Sequence, residues 1–145
     1  MSRLLMSILA AFATLFAFDW LFHTQIMMEQ YQLTADLWRS PADMHENFQW
    51  MLMTQFILAV IGTFIFAKGY ENKGLSEGVR FGLLFGAVIG IMMFGSVAYL
   101  PIPMNMAIAW LVGGVLEGVA MGIALSLVYQ KDSNEVNVEP LNLAS

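Results

Sequence analysis

The sequence predicts an all-α polytopic membrane protein: a four-transmembrane-helix bundle with a short periplasmic interfacial helix. Three observations predict it. Of 145 residues, 59% are hydrophobic and 12% charged, against about 25% charge in soluble domains. Four apolar runs are each long enough to cross a hydrocarbon core of about 30 Å. Polar, Gly and Pro punctuation separates those runs.

The first span runs from about Leu4 to Phe22, nineteen residues or about 28 Å. Its basic start resembles a signal peptide, but it leads into Asp19 and "WLFH" rather than a small-x-small cleavage site. The helix is therefore expected to be retained. In "TQIMMEQYQLTADLWRS", Met27, Tyr31, Ala35 and Trp38 fall on one helical face, with Glu29, Gln32 and Asp36 on another. That pattern reads as an amphipathic helix on the bilayer surface, either a lid or a simple connector.

The second helix has a legible start in "SPAD": Ser40 at the N-cap, Pro41 at the first helical position and Asp43 at the third. It is expected to run unbroken from Pro41 to Lys68, with Trp50 at the interface and Gly69 as C-cap. In the third span Ser76 is the expected cap and Glu77 suits the helix start, and the helix continues through Tyr99. After "PIP", Pro103 starts the fourth, which ends near Tyr129. So short a turn makes spans three and four antiparallel neighbours. Residues 1–131 thus form one membrane domain, and 132–145 read as a disordered cytoplasmic tail with little to bury.

Five of six basic residues, Arg3, Lys68, Lys73, Arg80 and Lys131, fall on one side of this topology. The positive-inside rule then places both termini in the cytoplasm of a bacterial-type inner membrane. The absence of cysteine excludes disulfides, iron–sulfur clusters and thiol catalysis. Six basic residues offer no patch for a phosphate backbone, so no nucleic-acid partner is expected. The 12 methionines are spread along the spans without a metal-binding motif. No phosphate loop, dinucleotide fingerprint, HExxH or supported nucleophilic triad occurs. No cofactor and no catalytic residue are expected.

Span three carries Gly78, Gly82, Gly86 and Gly90 four apart, and span four carries Gly114, Gly118 and Gly122 at the same spacing. Small residues at this period let helix backbones approach closely in lipid. The two stripes can face each other, face a partner subunit, or form a sliding contact.

Two polar groupings stand out. Near the periplasmic rim, Asp19, His23, Gln55, Ser96, Tyr99, His45 and Glu46 fall within reach of one cluster. Asp19 and His23, four apart, share a helix face. With His45 and Glu46 they offer nitrogen and oxygen ligands for a divalent metal, though a structural Asp–His pair satisfies the same spacing. Deeper, Glu117 lies about 18 Å from the outer end of span four, close to the midplane. A carboxylate there is costly unless protonated, paired or wetted. Arg80 is too far along the third span to pair with it, whereas Thr14 and Thr63 lie at suitable depths for a hydrogen bond. Glu117 therefore reads either as a proton or cation site or as an interhelical hydrogen-bond donor.

The aromatic close of span one ("FDWLFH"), the glycine-stepped third span, the proline turn and "AIAWLVGGVLEGVAMG" together resemble small uncharacterised four-span bacterial inner-membrane proteins. The resemblance covers most of the chain and implies the fold; no functional residue is carried over from it. Membrane lipids are the first expected partner. The leading functional expectation is action by helix association, as a homo-oligomer or as an accessory subunit of another membrane protein. The alternative is a small proton-coupled or cation transporter or channel using Glu117.

Overall fold

The computed structural model describes residues 2–129 and is all-α. The tail expected at 132–145 lies outside the described residues. Four helical stretches are long and apolar enough to cross a membrane: Arg3–Ile26, Phe48–Lys68, Leu75–Ala98 and Met104–Val128. The shortest has 21 residues, or roughly 32 Å at about 1.5 Å each. This is a four-span bundle with extra helical turns between its first two spans.

Helix α1 (Arg3–Leu21) starts at Ser2, whose Oγ accepts from Leu5 N–H at 3.3 Å. It runs on through a π-helical turn at Phe22–Ile26, closed by Met27 N–H to Phe22 C=O at 2.9 Å. Such turns insert one residue into the ladder and re-aim side chains, often at functional sites. The expected interfacial helix is shorter than its periodicity suggested. It consists of α2 (Met28–Leu33) and a 3₁₀ turn at Ala35–Leu37.

The expected single helix from Pro41 to Lys68 is two. Helix α3 (Pro41–Glu46) has the Ser40 cap, which accepts from Asp43 N–H at 3.2 Å, and Pro41 in its first turn. It stops at Asn47, whose Nδ2 donates to the Asp43 carbonyl at 2.8 Å. A side-chain amide that takes a backbone carbonyl competes with the helical ladder. Helix α4 (Phe48–Lys68) then continues to its Gly69 C-cap.

Helix α5 (Leu75–Phe94) is capped by Gly74 rather than Ser76. Gly74 has φ +67°, a conformation that a Cβ disfavours. Ser76 Oγ instead donates to the Lys73 carbonyl. Glu77, 7% exposed, reaches back and accepts from Glu71 N–H at 2.6 Å and Lys73 N–H at 2.8 Å. The α-helix ends before the expected Tyr99, and a 3₁₀ turn at Gly95–Ala98 finishes the span. Helix α6 (Met104–Val128) follows Pro103.

Helix α6 is central, with α5 on one side and α1 on another, while α4 packs mainly on α1. The α5–α6 contact is the glycine seam. A Cβ on Gly86 would lie 2.5 Å from the Gly114 carbonyl oxygen, and one on Gly90 would lie 2.5 Å from that of Leu111. A Cβ on Gly118 would meet Gly82 O at 2.5 Å, and Gly122 abuts Gly78 in the same way. Backbone meets backbone, so no neighbour can yield. Lipid supplies little drive for apolar association, and close van der Waals packing takes its place. Leu84, Val88, Ile91 and Met92 of α5 are exposed, forming an apolar surface for lipid acyl chains.

Two apolar clusters hold the bundle. Ala11, Leu15, Ala59, Phe66, Met121 and Leu125 form one, towards the α4–α5 loop. Phe22, Met27, Ile102, Met106 and Trp110 belong to the other, beneath α2. Between them, the part of α6 from Gly113 to Glu117 faces a pocket.

Candidate functional site

This pocket has a volume of 420 Å³ and draws its walls from α1, α4, α5 and α6. Helices α4 and α5 touch near their shared loop through Phe66 and Phe81, whose rings lie 5.3 Å apart. Towards the other end, Trp50, Met51 and Thr54 of α4 and Ile89 and Met93 of α5 flank the cavity instead. Gly113 keeps its α6 wall low, because a Cβ there would meet the Phe22 ring at 2.5 Å.

The polar groups in the walls are few. Asp19, His23, Gln55, Thr54 and Glu117 contribute them, and no Lys or Arg does. Gln55 is 5% exposed, and its Nε2 donates to Asp19 Oδ2 in a short hydrogen bond. Its Oε1 is buried and has no partner among the described residues. Glu117 is 7% exposed and makes no hydrogen bond with any described residue. An intramembrane carboxyl in this setting is stable as the neutral acid, or as the anion once water or a cation reaches it.

At the mouth, Asp19 and His23 sit four apart on α1 with His23 Nε2 3.7 Å from Asp19 Oδ1, which is electrostatic range rather than a hydrogen bond. The other ring nitrogen, Nδ1, lies 2.6 Å from the Tyr31 hydroxyl. That hydroxyl also accepts from Trp110 Nε1–H at 3.0 Å. Indole N–H only donates, so the Tyr31 proton is free to donate to His23 Nδ1. A neutral His23 then carries its proton on Nε2, facing Asp19. Burial is the largest cause pushing the Tyr31 hydroxyl above its usual pKa; the Trp110 hydrogen bond opposes this and the Asp19 charge adds to it.

A second cavity, of 790 Å³, lies on the other side of this chain, under α2 and α3. It shares His23, Met93 and Trp110 with the first and adds Tyr31, Trp38 and Arg39. The His23–Tyr31–Trp110 group thus stands as a partition between the two spaces.

The structure brings Asp19, His23, Gln55 and Glu117 to one cavity, although depth along the spans divides them into two groups. It leaves other expected members elsewhere. Thr14 Oγ1 donates to the Ala10 carbonyl of its own helix, at 2.8 Å. Thr63 Oγ1 is fully buried without a hydrogen bond among the described residues. Neither threonine bonds to Glu117, and neither lines the pocket. Ser96 Oγ donates to Met93 C=O, and Tyr99 is 75% exposed. His45 and Glu46 are exposed on α3, which the break at Asn47 separates from α4. Among the described residues no three His, Asp or Glu side chains are grouped to hold a metal ion. Arg80 lies 3.8 Å from Glu71 and is not among the pocket's wall residues. The Gly78–Gly122 and Gly82–Gly118 contacts set it about one turn from the level of Glu117, closer than the sequence suggested.

Tyr31 and Trp110 join the site from outside the sequence reading. Tyr31 was legible only as part of an apolar stripe with Met27, Ala35 and Trp38. Its hydroxyl is the one polar tip on that stripe able to accept as well as donate, and this was the available signal. No family model, no curated protein and no solved structure matches this chain.

Proposed function

We propose that the protein binds a small cation, the proton included, in the α1–α4–α6 pocket and carries it through the membrane. The observation that supports this most is the shared cavity of Asp19, Glu117 and the unpartnered Gln55 oxygen, with no Lys or Arg in its walls. Asp19, partly exposed at the mouth, and the buried Glu117 line one space, and the low dielectric strengthens their attraction for positive charge. The two cavities share His23, Met93 and Trp110 as a common wall, and movement of that wall would join the rim to the inner pocket.

The charge pattern orients this reading. With the Lys68–Lys73–Arg80 loop in the cytoplasm, the pocket belongs to the outer leaflet of a bacterial-type inner membrane. Action by association drew its motive from the glycine stripes, the short loops and the lack of a catalytic motif. Those stripes face each other within one chain, so neither is left open for a partner. A second copy remains useful to this reading for another reason: four helices enclose only a narrow path, and a homodimer widens it.

The test is flux in proteoliposomes under imposed proton, sodium, potassium or small organic ammonium gradients. Flux that falls at least tenfold in Glu117→Gln, with unchanged folding, supports the proposal. No flux of any of the four in the parent protein, or full flux in Glu117→Gln, overturns it.

A further inference from the structure

We infer that the ligand of this pocket is a protonated amine with a compact apolar or aromatic body. The inference rests on the cation-pocket reading above and names the class of cation.

Three features of the cavity each demand part of that molecule. Asp19 and Glu117 call for positive charge, and the walls hold no Lys or Arg to supply it. Gln55, a wall residue only 5% exposed, calls for a hydrogen-bond donor: its Oε1 is a buried acceptor without a partner among the described residues, and a ligand's N–H reaches it only as the amide turns towards the cavity. A buried acceptor left unmade is costly, and an N–H brought by a ligand removes that cost. The remaining walls call for apolar surface. Phe18, Phe22, Trp50, Trp110, Leu58 and Ile89 form most of them, and aromatic faces attract an ammonium group as well as a ring.

Size separates this ligand from a bare ion. The cavity holds 420 Å³, inside the range of about 300–1,000 Å³ usual for small-molecule sites. A bare metal needs about four to eight close donors, and the described residues offer no grouping of that kind. A hydrated ion leaves the aromatic walls wet. An amine with an apolar body satisfies the acids, the amide oxygen and the walls together.

The experiment is isothermal titration of the purified full chain in detergent at neutral pH with three probes of similar shape. Phenethylamine is charged and carries N–H donors; benzyltrimethylammonium is charged without them; phenethyl alcohol is neutral. Phenethylamine is expected to bind at least tenfold tighter than the alcohol, a comparison that needs no variant. Glu117→Gln is expected to weaken both cations about tenfold. Gln55→Leu is expected to weaken phenethylamine about tenfold and to leave benzyltrimethylammonium within twofold. The inference is overturned if amine and alcohol bind alike, or if Gln55→Leu weakens both cations equally. Inorganic cation flux that depends on Glu117, alongside equal amine and alcohol binding, removes the inference and leaves the proposed function standing. Loss of both removes both.

Discussion

The Tyr31 hydroxyl bonds His23 Nδ1 at 2.6 Å, tying the short helix α2 back onto the end of the first span. The same oxygen receives the Trp110 N–H of α6. One hydroxyl thus fastens three helical segments at the partition between the two cavities.

Removing that hydroxyl isolates its contribution. Tyr31→Phe and Trp110→Phe each delete one side of the same hydrogen bond, so their costs are not additive. A double-mutant cycle is expected to give a coupling of about 0.5–1.5 kcal/mol. Reversible unfolding in mixed micelles measures it. A coupling near zero would mean that the bond contributes nothing to holding α2 down.

The same residue makes a pH prediction. Tyr31 is raised above its usual value, chiefly by burial. A raised folded-state pKa means that the native state holds the proton more tightly than the unfolded chain. The stabilisation is complete below about pH 10, the unfolded value, and is lost as pH rises through the folded value. Melting temperatures between pH 9 and pH 11.5 are expected to fall more steeply for the parent than for Tyr31→Phe. Parallel curves would count against it.

Glu77 is expected to hold the α4–α5 loop. Its carboxylate accepts from the Glu71 and Lys73 N–H groups, and charge-assisted bonds of this kind contribute about 1.5–3 kcal/mol each before screening. Glu77→Ala is expected to cost about 2 kcal/mol overall and to raise amide exchange at Glu71 and Lys73. Exchange at the far end of α5 should not change. Protection at those two amides equal to the parent's would rule out the capping role.

The seam predicts a sharp contrast between glycines. Gly118 faces Gly82 and Gly86 backbone, whereas a Cβ on Gly95 would meet nothing within 4 Å. Gly118→Val is expected to cost at least about 3 kcal/mol by forcing the helices apart. Gly95→Ala should lie within about 0.5 kcal/mol of the parent. Thermal stability in a common detergent checks both. A tolerated Gly118→Val would show that α5 and α6 do not pack at this distance.

Much of the fold was legible because it depends on near neighbours in the chain. Hydropathy summed over twenty residues marks a span, and Ser40, Pro41 and Asp43 mark a helix start within four positions. The seam was equally plain, since a period of four puts glycines on one face whatever lies opposite. The local competitions were less so. Asn47 breaking the second helix and Gly74 displacing Ser76 as cap each depend on a side chain choosing between two backbone partners.

The sequence by itself determined that this chain crosses the membrane four times, that α5 and α6 are antiparallel neighbours, and that Asp19 and Glu117 lie in apolar spans. Only the tertiary structure decided that Asp19, Gln55 and Glu117 share a cavity and that Tyr31 turns back to His23. The reason is rotational. Helix α4 is apolar on all sides, so its own residues favour no face, and its packing on α1 directs Gln55 inward. The π-helical turn at Phe22–Ile26 likewise sets where the chain leaves α1, and with it where the Tyr31 hydroxyl arrives. Both are set by packing between segments distant in sequence, which no local pattern encodes.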